Sequence, residues 1–97
     1  MLRHIVCFRL KPDKKHMVGE AVKSLESLAA IPGVTYIEVG VDELKSTRSY
    51  DIAMTVDFEN PDDYGIYDTH PLHQPVRELM RSVAETSVTV DYIRDDV

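Results

Sequence analysis

The residues with the most chemistry in this chain are four histidines, His4, His16, His70 and His73, and five tyrosines, Tyr36, Tyr50, Tyr64, Tyr67 and Tyr92. A neutral imidazole can take a proton near neutral pH, because its unperturbed pKa lies at about 6.5, and a phenol can donate a hydrogen bond to a developing oxyanion. Those are the two tasks of proton removal beside a carbonyl. Tyr67 and His73 have the right types, but they stand six residues apart across a proline, so helical spacing alone does not bring them together. His70 and His73, with Asp68 nearby, have a spacing that can bind metal on a helix face, yet zinc needs three or four convergent ligands. No Cys pair, HExxH, EF-hand loop, glycine-rich phosphate loop or serine or cysteine nucleophile motif accompanies them, so no metal and no organic cofactor is expected. Several of the tyrosines can line a pocket for flat molecules, or fill core with the hydroxyl at its rim.

Alternating and helical patterns place these side chains. Arg3 to Leu10 reads as a strand with His4, Val6, Phe8 and Leu10 on one face and Ile5 and Cys7 on the other. Asp13 is placed to cap a helix, in which Met17, Ala21, Val22, Leu25, Leu28 and Ala29 recur at helical spacing. Pro32 and Gly33 end it, Gly33 being free to take positive φ, and a second strand runs from Val34 to Gly40. After a polar loop, Tyr50 to Phe58 forms a third strand. Asn60 is the expected cap of a short helix carrying Tyr64 and Tyr67, with Pro61 in its first turn. His70-Pro71 interrupts that helix, a second one carries Leu72, Val76, Leu79, Met80 and Val83, and Ser87 to Ile93 closes the chain as a fourth strand.

The order strand, helix, strand, strand, helix, strand is the split βαβ arrangement of ferredoxin-like α+β domains, with a four-stranded antiparallel sheet. One domain over residues 1–97 is expected from the length. Helices then cover one face of the sheet, and the other, with Val6 and Phe8 or their neighbours on it, needs a cover that a second copy can supply by closing two sheets into a barrel. A chain this short buries only about 60% of its unfolded surface, and a single cysteine, Cys7, allows no internal disulfide, so a homodimer is predicted. Eleven Lys and Arg against seventeen Asp and Glu give a net charge of −6, which argues against nucleic acid and anionic membrane as partners. The lone cysteine and the absence of an apolar leader or span predict a cytoplasmic protein.

Together, the HIVCFRL strand, the IPGV turn at Ile31 to Val34, the Tyr50-Asp51 pair, the stretch from Tyr67 to His73 and the closing Asp91-Tyr92 resemble the stress-responsive A/B barrel family over essentially the whole chain. The resemblance implies a dimeric α/β barrel of ferredoxin-like protomers with a cleft between sheet and helices. One plant branch of the family includes a metal-free polyketide cyclase, and it implies catalytic roles for Tyr67 as oxyanion donor and His73 as base. That branch also has a histidine two residues after the tyrosine matched by Tyr50, where this chain has Ile52. His4, Tyr50, Ile52 and His70 are accordingly the expected ligand-contacting positions. Three functions remain open at this point: binding of an apolar or aromatic small molecule near Tyr67 and His73, a cofactor-free cyclase or lyase-type reaction there, or an accessory subunit acting through its dimer surface.

Overall fold

Residues 1–95 are described by a computed structural model. β1, Leu2–Leu10, is one of the two inner strands of a four-stranded antiparallel sheet, pairing β3, Ile52–Phe58, on one side and β4, Ala84–Ile93, on the other. β2, Val34–Val41, pairs the far side of β3, giving the order β2-β3-β1-β4. α1, Val18–Glu26, is flanked by 3-10 turns at Pro12–Met17 and Ser27–Ala30, and α2, Asp62–Thr69, and α3, His73–Val83, complete the helical layer.

The helices bury the even-numbered face of β1 and β3. Val6, Leu10, Ile52, Met54, Val56 and Phe58 pack there against Leu25, Leu28, Val76, Met80 and Val83. Val6 and Phe8 therefore belong to the covered side, and the uncovered side is the one carrying Ile5 and Cys7. Both faces of β1 are apolar enough that its alternation alone does not tell them apart. The register puts Tyr36, Arg3, Ile5, Cys7, Val88, Val90 and Tyr92 on the open face; Val88 and Val90 are 49% and 62% exposed. Asp57 is the buried charge of that face: Arg3 donates to both its oxygens at 2.8 Å and Arg94 donates at 3.3 Å. The Arg3 guanidinium holds the Asp57 carboxyl below the ordinary carboxylate range.

The local signals act where the sequence places them, with shifts at element ends. Gly33 takes φ +96°, and a Cβ there would sit 3.0 Å from the Cβ of Asp63, so the turn needs both the left-handed backbone and the missing side chain. Neither Asp13 nor Asn60 caps a helix through its side chain. The first 3-10 turn starts after Lys11, and Asn60 serves α2 through its backbone carbonyl, which accepts from the Asp63 N–H. β3 starts at Ile52, after Tyr50 and Asp51, whose carboxylate accepts from the Leu10 N–H and from Lys15. β4 begins at Ala84, three residues before Ser87, because the chain turns extended directly after Val83, whose carbonyl is satisfied by the Lys11 N–H.

Candidate functional site

His70 takes φ −64° and ψ 140°, the extended geometry that a following proline imposes, and this ends α2. Its ring accepts the Leu72 N–H at 3.1 Å, so His70 folds onto the break that starts α3. The break turns α3 back so that its first residue, His73, meets Tyr67 of α2: the two ring centroids are 4.5 Å apart. Arg77, one turn further along α3, fastens the same corner by donating to the Asp68 carbonyl at 2.8 Å and its carboxylate at 3.0 Å.

Between this helical corner and the sheet lies a cavity of about 430 Å³. Tyr64 and Tyr67 line it from α2, His73 and Met80 from α3, His4 from β1 and Met54 from β3, while Ser87 and Thr89 of β4 form a polar wall. Tyr67 is 1% exposed and packs against Phe58 at 5.0 Å. His4 lies edge-on to Tyr64 at 5.2 Å and to Tyr67 at 6.3 Å.

The hydrogen bonds fix what each group can do. A carbonyl oxygen only accepts, so His73 Nδ1 carries the hydrogen in its 2.9 Å bond to the Tyr67 carbonyl, and the lone pair of the neutral ring resides on Nε2. Burial lowers the His73 pKa below its ordinary value, which keeps the ring neutral at pH 7, and its place at the first residue of α3 acts in the same direction. Burial has the opposite effect on the Tyr67 phenol, raising its pKa well beyond that of a free tyrosine and keeping it a donor. The Tyr67 hydroxyl has no hydrogen-bond partner among the described residues. A neutral imidazole and a tyrosine with an unpaired phenol donor thus line one half-open cleft.

Three of the expected site residues, Tyr67, His73 and His4, come together on this cavity. His70 stays at the helix break. Tyr50 and Ile52 sit apart, at a separate depression of about 340 Å³ beside Cys7 and Gly40, where the Arg9 guanidinium covers the Tyr50 ring at 4.4 Å and Ile52 is 1% exposed. Tyr64 joins Tyr67 because three residues along a helix share a face. The site residue least visible in the sequence is Asp91, which accepts from His4 Nδ1 across the β1–β4 pair. No group of three or more His, Cys, Asp or Glu side chains suited to a metal ion occurs among the described residues.

A ferredoxin-like protomer with one bare sheet face and a cavity walled by sheet and helices defines an α+β protein of the A/B barrel type. The chain belongs to the stress-responsive A/B barrel domain family, which it matches over residues 2–94. A stress-response A/B barrel domain-containing protein of Arabidopsis thaliana is 31% identical over 94 residues, covering 93% of this chain and 83% of that one. Among solved structures, a dimeric protein of ferredoxin-like fold from Bacteroides fragilis superposes with a TM-score of 0.81 at 30% identity, covering 94% of this chain and 93% of that one. A hydroxynitrile lyase from Passiflora edulis shares the fold with a TM-score of 0.83 at 19% identity, covering 99% and 94% of the two chains.

Proposed function

We propose that this chain forms a cytoplasmic homodimer that binds an apolar or aromatic small molecule in the cavity beside Tyr67 and His73. The observation that carries the reading is the Tyr67 hydroxyl, buried and without a partner among the described residues, on a side chain that lines this cleft. Leaving such a group unpaired costs about 1–3 kcal/mol. A ligand oxygen that accepts from it recovers that cost, and the aromatic rings and methionines around it provide the apolar contacts. The dimer reading is supported by the exposed Val88, Val90 and Tyr92 on the open face and by the dimeric state of the Bacteroides fragilis relative. Among the described residues, no helix is long and apolar enough to cross a membrane.

A second reading, a cofactor-free proton-transfer enzyme of the cyclase or lyase type, is favoured by the fixed tautomer of His73. Its Nε2 lone pair would remove a proton from carbon beside a carbonyl, while Tyr67 donates to the oxygen that gains charge. The fold accommodates a lyase in Passiflora edulis, so the architecture is compatible with catalysis.

One comparison tests both. Wild type, Tyr67→Phe and His73→Ala are titrated with 2-acetylnaphthalene and related aryl ketones, and each mixture is followed for conversion. Binding that weakens about tenfold in Tyr67→Phe supports the binding reading. Conversion seen with wild type and lost in His73→Ala moves the protein to the enzymatic reading. Equal affinity of all three proteins, without conversion, contradicts both.

A further inference from the structure

His4 and Asp91 are direct partners in the β1–β4 register, and both side chains project to the helix side of the sheet, where the cavity lies. His4 is a buried histidine, 7% exposed, on a strand whose neighbours on that face are Val6 and Phe8. Burying an imidazole among apolar groups without a partner is unfavourable, and Asp91 supplies the partner. A carboxylate only accepts, so the bond places a hydrogen on Nδ1 of His4 and, in the neutral ring, leaves the lone pair on Nε2. That nitrogen makes no hydrogen bond to another described residue. His73 reaches the same tautomer by a different route, through the Tyr67 carbonyl.

Two imidazole rings on different elements therefore neighbour one tyrosine ring. His4 approaches from the sheet and His73 from α3, with centroids 6.3 Å and 4.5 Å from that of Tyr67. A purely apolar ligand leaves both lone pairs unmet, whereas a hydroxyl on the ligand donates to one of them.

We infer that the cavity is built for an aromatic compound bearing a hydroxyl group, a phenol or enol, whose O–H donates to His4 Nε2, with Asp91 as the positioning residue that fixes His4 in the accepting tautomer. This rests on the small-molecule reading of the cavity and narrows it to a ligand class. Asp91 acts through His4 and does not itself touch the ligand. Its carboxylate is nearly half exposed, so the pair is an orienting device more than a source of stability.

The test has two arms. In the first, nitrogen-15 NMR of the ligand-free wild type reads the His4 tautomer directly. An unconstrained histidine side chain in water favours the hydrogen on Nε2, so a His4 ring held with hydrogen on Nδ1, which reverts in Asp91→Ala, is the expected result. A His4 ring with its hydrogen on Nε2 in wild type overturns the inference.

In the second arm, wild type and Asp91→Ala are titrated with 2-naphthol and with 2-methoxynaphthalene, which differ by the loss of the donor. The expected result is a preference of about tenfold for the naphthol in wild type, lost in Asp91→Ala, with methoxynaphthalene affinity unchanged. Should Asp91→Ala fail to fold, His4→Phe keeps the ring volume and removes the acceptor, and the same loss of preference is expected. Equal binding of the two naphthalenes to wild type overturns the inference and leaves the binding reading intact. If neither binds, the binding reading fails together with the ligand class, and the nitrogen spectrum still decides the hold of Asp91 on His4.

Discussion

The backbone carbonyl of Tyr67 accepts from His73 Nδ1 at 2.9 Å, while the hydroxyl at the other end of the same tyrosine is buried without a partner. One residue thus orients a base and presents a donor. The contact spans the break at His70-Pro71, which brings the start of α3 back to the end of α2. What six residues of helix would place on different faces, a proline-imposed kink places in contact.

Tyr67→Phe deletes an oxygen that has no protein partner, so the ligand-free variant should be no less stable than wild type and up to about 1 kcal/mol more stable. Chemical denaturation of the two proteins measures this. A loss of more than about 1 kcal/mol would mean that the hydroxyl is satisfied in the free protein.

His73 makes stability depend on pH in a definite direction. Burial lowers its pKa in the folded state below the ordinary 6.5, so below that pH the unfolded chain binds the proton more readily than the folded one. Stability is then unaffected by His73 above about pH 6.5 and falls as the solution is acidified through that value. His73→Gln should flatten this part of the curve of thermal midpoint against pH. An unchanged slope in His73→Gln would assign the titration to other groups.

Gly33→Ala should destabilise the fold by about 1–2 kcal/mol, because alanine at φ +96° is strained and its Cβ would press on Asp63. Urea denaturation reads the change. A neutral result would mean that the Ile31-Pro32-Gly33 turn readjusts freely and does not set the approach of α2.

Val90 stands at the centre of the bare apolar run of β4, 62% exposed, two residues from Val88 and Tyr92 on the same face. Sedimentation equilibrium should find wild type as a dimer at micromolar concentration and Val90→Glu as a folded monomer, since a charge buried at a twofold seam faces its own copy. A wild-type monomer would remove the sheet face from the account.

Much of the fold is legible in residue order. The alternation of β1, the helical recurrence from Ala21 to Leu28, the Gly33 turn and the His70-Pro71 break each follow from a local rule, and each is found in place. The facing of the sheet is not legible in the same way. A local pattern places apolar residues toward the chain's own core, but on β4 the apolar Val88, Val90 and Tyr92 point to the open face, while Ser87 and Thr89 line the cavity and Asp91 shares their face beside His4. That strand is patterned for a partner and a polar-walled cavity rather than for the protomer core. The His4–Asp91 contact is hidden for a related reason: 87 residues separate the two, and only the β1–β4 register makes them neighbours. Tyr50 and Ile52 are close to Tyr67 in family pattern but not in space, because the β3 residue lining the cavity is Met54.

The most direct test of the cavity as the binding site is methyl NMR of the wild-type protein during titration with 2-acetylnaphthalene. Saturable shifts are expected of the Met54, Met80 and Val76 methyls, which line the cavity, with Val88 and Val90 on the open face unmoved. Shifts confined to Val88 and Val90, or none at any of these methyls, would contradict it.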